Sequence, residues 1–498
     1  MSAPDPLYLD YAATTPVDPA VAEAMARCLG GAEGIGNASS ATHVFGRRAA
    51  ERIERSRAEV AALLGAHPAE IVFTSGATES DNLAVLGAAR ASAHRGRHIV
   101  SSRTEHKAVL DPLKRLEKEG FAVTLLTPDR SGKLDPASVS AALRPDTVLV
   151  SIMLVNNEIG VIQDIAAIGA LCRARGVLFH TDAAQAAGKI PIDAHALPVD
   201  FMSITAHKLY GPKGIGALYV SDQARASLQP ILFGGGQERG LRPGTLPTHQ
   251  IVGFGLACEL ARRALPAESA RLAGLRQRLW QGLSAIEGAH ANAEGVACVP
   301  GILSVSIEGV EGESLVAGLR ELAVATGSAC NSATAEPSYV LRALGRGTQL
   351  AQSSLRLSFG RFSRPEEIDL AVRAIGREVG RLRSLSPAAD AGGDPGEVVG
   401  EVVGEAGGPG QEVWVRFRLT VERGIVKSAL VKAYGCPHTL MVATWIAERL
   451  RGRGRANLAP GAPADWAEAL AVPIEKLGRL LVVEDALTDC ARHWPAAR

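Results

Sequence analysis

Aromatic residues make up only 4% of this 498-residue chain, and no apolar run reaches the ~20 residues that cross a bilayer. Nor does the stretch from Met1 to Leu9 have the basic start and apolar centre of a secretory leader. Charge of one sign is equally scarce: 53 Lys and Arg stand against 52 Asp and Glu, for a formal net charge of +1. No electrostatic argument then favours a nucleic acid or a membrane surface, and a cytoplasmic location is the expectation. The seven cysteines are odd in number, scattered and without a CxxC pair, which argues against a disulfide framework and a zinc knuckle. What remains, 47% apolar and 21% charged, is the composition of a globular protein long enough for two to four domains.

Apolar runs bounded by turns alternate with amphipathic stretches. Residues 70–74, 98–102, 147–155, 177–181, 201–204 and 215–220 read as strands, with helices at 80–93 and 165–175. The alternation predicts an α/β domain with a large, mainly parallel sheet, whose strand ends are where ligands bind. From Cys258 to Arg383 long helices dominate, with strands at 302–307 and 355–359, which predicts a smaller α/β domain. Composition shifts at Ser384, and the Gly- and Glu-rich stretch up to Gly410 reads as a flexible linker. A strand at 413–421 and a helix at 439–450 then mark a separate, small α+β module. The expected divisions are 1–257, with residues 1–13 packing on the small domain, then 258–383, 384–411 and 412–498.

Lys208, in the run from Ser203 to Gly214, follows one strand, and Asp182 and Gln185 end the strand before it. Together they suggest a pyridoxal phosphate site, which needs a lysine for the Schiff base, a carboxylate for the pyridine nitrogen and a hydrogen-bond donor to the ring oxygen. Ser75-Gly-Ala-Thr-Glu-Ser80 lies between a strand and an amphipathic helix, where backbone N–H groups suit a phosphate. A plain Ser/Thr helix cap is the other reading. Gly214-Ile-Gly216 precedes a strand instead of following one, so the dinucleotide fingerprint is absent.

His106 follows the 98–102 strand and is placed to stack on a ring or shuttle protons, or else is structural. Arg356, inside an apolar strand, suits a substrate carboxylate or equally a structural acid. Cys330 sits in Ala325-Thr-Gly-Ser-Ala-Cys-Asn-Ser-Ala333, small residues that cannot build a packed core and instead form a mobile loop presenting a nucleophilic thiol. Cys172, Cys258 and Cys298 have apolar contexts and read as small core hydrophobes.

Residues 7–383 resemble the NifS/IscS-type cysteine desulfurases, pyridoxal phosphate enzymes of the fold-type I aminotransferase superfamily (class V). The resemblance rests on Tyr8-Leu-Asp-Tyr-Ala-Ala-Thr-Thr-Pro16, Val155-Asn-Asn-Glu-Ile-Gly160, Gly240-Leu-Arg-Pro-Gly-Thr245 and Glu336-Pro-Ser-Tyr-Val-Leu-Arg-Ala-Leu-Gly345. It implies that Lys208 anchors the cofactor, that Asp182 pairs with the pyridine nitrogen, and that Gln185 and Asn157 contact the ring hydroxyl or substrate. Ala77, Thr78, Thr205 and His207 would bind the phosphate, with Thr245 reaching it from the neighbouring subunit of a homodimer. His106 would stack on the ring and move protons, and Arg356 would hold the substrate carboxylate.

The implied reaction takes L-cysteine to alanine and leaves a persulfide on Cys330, whose sulfur passes to acceptors such as an iron–sulfur scaffold. No resident metal is implied, although Cys330 would be able to touch a cluster on a partner scaffold. Selenocysteine lyase, or another lyase or aminotransferase on the same cofactor, is the alternative. Thr205-Ala206-His207 departs from the serine and glycine more usual in the family, which bears on the phosphate contact from Thr205.

The last module resembles, more faintly, the second half of an IscU/NifU-type scaffold, through Tyr434-Gly-Cys436 and Leu481-Val-Val-Glu-Asp-Ala486. Of the cysteine ligands of such scaffolds only Cys436 is retained, since Cys490 lies past the matching region, and one thiolate is too few for a cluster. Cys436 and His438 as a metal pair would need further ligands. The module reads as a tethered sulfur acceptor at Cys436, or as a degenerate fold kept for docking or stability.

Overall fold

The computed structural model describes residues 5–30, 34–326, 337–384, 401–408, 413–422 and 424–494. Its centre is a seven-stranded sheet in the order Ile71–Thr74, Gly216–Val220, Phe201–Thr205, Leu178–Asp182, Thr147–Ser151, His98–Ser102, Ala122–Leu126. Gly216–Val220 runs antiparallel to both of its neighbours and every other pairing is parallel. Six of these strands are buried at every residue, as expected of a sheet covered on both faces. The edge strand Ala122–Leu126 keeps partial exposure along its length.

Successive residues point to opposite faces, so adjacent positions enter different cores. Phe179, Met202, Ile204 and Ala217 pack on one face with Ile53 and Leu64 of the helix Val44–Leu64, while Leu178, Phe201 and Leu218 pack on the other with Leu83 and Leu113. The helix covering that second face, Ala77–Ala91, starts directly after the strand Ile71–Thr74.

The smaller domain is a four-stranded antiparallel sheet in the order Ala325–Thr326, Ser354–Ser358, Ile302–Ile307, Ala289–Ala291, backed by the helix Pro365–Ser384. The amino terminus belongs to it in space: Leu7–Tyr8 pairs in parallel with Leu322–Ala323, and Leu9 is buried in its core. The boundary expected at 257/258 falls inside a single helix, Thr248–Leu283, and is corrected accordingly. Ile251, Phe254, Cys258 and Ala261 of that helix enter the large-domain core, and Leu272, Leu275, Leu279 and Leu283 enter the small one. The same helix thus serves both cores.

A second correction concerns the linker. Glu401–Gly408 forms the first strand of a three-stranded antiparallel sheet with Val413–Glu422 and Ile425–Tyr434. Glycine suggested a flexible chain, yet at Gly404 it answers a packing need, since a Cβ there would lie 2.2 Å from the Cys490 nitrogen. The helices Pro437–Arg449, Pro463–Ala469 and Leu477–Arg492 complete this α+β module. The module docks on the small domain: the Ser314 hydroxyl donates to the Gly435 carbonyl (2.8 Å), Lys476 reaches Glu313 (3.5 Å), and Leu440 packs against both cores.

Candidate active site

Five connections leave the large sheet at the carboxyl ends of parallel strands, and each carries a residue singled out above. Ser75–Thr78 follow Ile71–Thr74, His106 follows His98–Ser102, Asn157 follows Thr147–Ser151, Asp182 ends Leu178–Asp182, and Lys208 follows Phe201–Thr205. This edge is where an open α/β sheet binds its ligand.

Asp182 is buried, and its Oδ1 accepts from the Ala184 N–H at 2.9 Å. Burial, and then the charge of the neighbouring Asp81, push its carboxyl up to about 7. Such a carboxylate gains most from a cation brought to it, as a protonated pyridine nitrogen would be. Lys208 sits on the short turn Ala206–Lys208, and its Nζ donates to the Ala13 carbonyl at 2.8 Å and to the Ala12 carbonyl. The Gln185 Nε2 donates to that same Ala12 carbonyl at 2.8 Å. Tyr210 takes a left-handed conformation (φ +66°), and its N–H donates to the Thr15 hydroxyl at 2.8 Å, which fixes the turn beyond Lys208.

Gly76 caps the helix Ala77–Ala91 with φ +155°, a conformation L side chains rarely adopt, and the Thr205 hydroxyl lies 3.7 Å from where its Cβ would stand. Ala77 and Thr78 occupy the first turn of that helix, so the structure brings Ala77, Thr78 and Thr205 to one anion-suited helix start. The Thr205 hydroxyl itself donates to the Ile215 carbonyl at 3.3 Å. His207 instead turns its Nδ1 to the Thr14 hydroxyl (3.2 Å), and burial followed by repulsion from Lys208 lowers its pKa to about 4. Thr245 is exposed, in a loop pinned to the same helix by the Arg242–Glu79 ion pair (2.8 Å).

His106 is the N-cap of the helix Lys107–Lys118, and its Nδ1 accepts from the Ala108 N–H at 3.1 Å. A neutral ring in that role carries its proton on Nε2, and burial lowers its pKa, favouring the neutral form. Asn157 is buried, and its side-chain oxygen has no hydrogen-bond partner among the described residues, as expected of a group shaped to meet a ligand. Arg356 donates to Asp10 Oδ1 (2.8 Å) and to the Asn157 carbonyl (3.0 Å), while its buried Nε has no partner among the described residues. Cys330 lies outside the described residues.

Other members of the site carried no local signal. Asp10 is one, and the Ala12 and Ala13 carbonyls that hold Lys208 are others; they lie in the Tyr8–Pro16 motif, where only the resemblance marked them. Asp81 and Glu105 are buried acids beside Asp182, each raised chiefly by burial. In the C-terminal module Cys436 is 2% exposed at the start of the helix Pro437–Arg449, with its sulfur 3.4 Å from the Thr439 hydroxyl. No cluster of three or more metal-ligating side chains occurs among the described residues, and none of their helices is long and apolar enough to cross a membrane.

The donor set therefore fits pyridoxal phosphate: a lysine, a buried carboxylate, an amide, and a glycine-capped helix start beside a threonine hydroxyl. Comparison with known proteins agrees. The aminotransferase class-V profile matches residues 7–370. The cysteine desulfurase IscS of Pectobacterium atrosepticum is 56% identical over 382 residues, covering 77% of this chain and 95% of its own length. The IscS of Azotobacter vinelandii is 56% identical over 385 residues, with the same two shares.

Among solved structures, a NifS-like protein superposes with a TM-score of 0.70 at 35% identity, covering 76% of this chain and 100% of its own. SspA in complex with cysteine superposes with a TM-score of 0.64 at 38% identity, covering 72% of this chain and 100% of its own. The family match ends before the C-terminal module begins. Over residues 7–370 the chain belongs to the aminotransferase class-V family, and within it to the pyridoxal phosphate-dependent cysteine desulfurases of the IscS/NifS type.

Proposed function

We propose that this chain converts L-cysteine to L-alanine, keeps the sulfur as a persulfide on Cys330 and hands it to acceptor proteins, an iron–sulfur scaffold among them, in the cytoplasm. The gathering of Lys208, buried Asp182, Gln185 and His106 at one sheet edge carries this reading. Bound there, pyridoxal phosphate supplies an electron sink for the charge left on the α-carbon when its proton is removed. Lys208 would hold it by its aldehyde carbon, Asp182 by the pyridine nitrogen and Gln185 by the ring hydroxyl. Ala77 and Thr78 offer backbone N–H groups to the phosphate and Thr205 its hydroxyl. His207 would join them by turning from Thr14.

His106, neutral and with its proton on Nε2, is suited to move protons above the ring. Arg356 would hold the substrate carboxylate through the edge that Asp10 leaves unpaired, with Asn157 beside it. The thiolate of Cys330 then attacks the substrate sulfur. A sulfur–sulfur bond forms, the carbon–sulfur bond breaks with its electron pair left on the β-carbon, and that carbon takes up a proton to leave as alanine.

A homodimer is part of the reading. Phe233 is 86% exposed and Leu29 67%, apolar surface that a second copy would cover, with Thr245 reaching across. For the C-terminal module, the burial of Cys436 favours docking over sulfur acceptance. Alanine and sulfide release from L-cysteine by the wild type and by Cys330→Ala tests the whole. Loss of both products in the variant is expected, and their retention refutes the persulfide step.

A further inference from the structure

Behind the site lies a lysine that the proposed chemistry does not use. Lys189 follows Gln185 by four residues, and its Nζ donates to Gln185 Oε1 at 2.6 Å. The Gln185 Nε2 passes the chain on to the Ala12 carbonyl at 2.8 Å, and Lys208 donates to the same carbonyl. Lys189, Ala12, Glu268 and Tyr210 together line a small cavity of about 30 Å³. Burial, then the charges of Lys208 and Arg356, lower the Lys189 pKa to about 7, with Glu268 opposing. A cation is held here at some cost.

What that cation does follows from the chemistry of an amide. A glutamine side chain turned by half a revolution exchanges its oxygen for its NH2 with almost no change of shape, so only its partners decide which way it faces. An ammonium, the form Lys189 takes below about pH 7, has donors and no acceptor, while a carbonyl accepts and does not donate. With Lys189 on one side and Ala12 on the other, only one orientation satisfies both. That orientation leaves the second N–H of Gln185 free to donate to a ligand.

We propose that Lys189 is a positioning residue, which locks the Gln185 amide so that its NH2, and not its oxygen, is presented to the ring oxygen of the cofactor. The inference rests on Gln185 being the contact to that oxygen. Without the ammonium, the Ala12 carbonyl alone still selects that orientation, and the flipped amide, which sets an acceptor against an oxygen that also accepts, becomes easier to reach. Lys189 touches neither substrate nor cofactor in this scheme, and it acts through Gln185 alone.

The test is a pH titration of the cofactor's visible absorbance in the holoenzyme, a readout separate from turnover. Lys189→Met and Gln185→Ala are each expected to shift its midpoint by about one unit, the size of a lost charge-assisted hydrogen bond. The double variant should shift no further than Gln185→Ala, and Lys189→Arg, which keeps the donors, should restore at least half. Should Lys189→Met not fold, Lys189→Asn, too short to reach Gln185 but polar within the cavity, carries the same expectation. A shift in Gln185→Ala with none in the Lys189 variants overturns the inference. Additive shifts overturn it too, since Lys189 would then act by its own charge. No shift in Gln185→Ala overturns the underlying contact itself.

Discussion

Glu238→Gln should destabilise the large domain by about 3–5 kcal/mol, the cost of leaving a buried charge without its partner. Glu238 and Arg57 form a two-pronged pair, NH1 to Oε2 and NH2 to Oε1 at 2.7 Å each, with side-chain exposures of 1% and 4%. The same carboxylate accepts from the Phe73 N–H at 2.7 Å, and the guanidinium lies 4.5 Å from the centre of the Phe73 ring. Part of the loss is recovered, since Arg57 keeps the Ile71 carbonyl (2.9 Å) and Glu54 (3.1 Å), so the lower half of that range is expected.

The pair also holds Glu238 and Arg239 at φ +47° and +57°, a left-handed pair that relaxes once the anchor is gone. Arg242 and Thr245 follow in the same loop, so cofactor affinity should fall along with stability. Urea unfolding followed by far-UV circular dichroism reads the effect. Tryptophan emission would not, because Trp414, Trp445, Trp466 and Trp494 lie in the C-terminal module and only Trp280 lies outside it. A loss below about 1 kcal/mol, the size of a surface ion pair, would refute the reasoning.

Burial lifts the Glu158 carboxyl to about 7. The folded state therefore holds this proton more tightly than the unfolded chain, and stability falls as pH rises from the ordinary carboxyl range to about 7. Glu158→Gln removes that fall, so its melting temperature should gain on the wild type across this window and stay level above it. An advantage confined to pH below 4 would contradict the sign. Gly76→Ala forces a side chain onto φ +155° at the proposed phosphate site, and equilibrium dialysis should show cofactor affinity weakened by about tenfold or more. Burial pushes the Cys172 and Cys490 thiols up to about 12 and Cys258 well above its usual range, so brief iodoacetamide treatment of the native protein at pH 8 should leave all three unmodified by mass spectrometry.

The strands that were legible in the sequence are those buried on both faces, such as Leu178–Asp182 and Phe201–Thr205, where every residue must be apolar or satisfied within the sheet. Ala122–Leu126 at the sheet edge and Glu401–Gly408 in the module were not, because one is half exposed and the other packs through glycine. Asp182, Lys208 and His106 could be found because each ends its own strand or follows it by a few residues. Interactions between distant positions leave no such trace. Arg356 read equally well as a carboxylate clamp or as half of a structural ion pair, and its acid proved to be Asp10, 346 residues away. Under the proposed function the two readings are compatible. Asp10 occupies NH2 and the Asn157 carbonyl occupies NH1, while Nε is left buried without a partner among the described residues. A guanidinium has five donors, so the acid that fixes its plane and a substrate that meets its free edge need not compete.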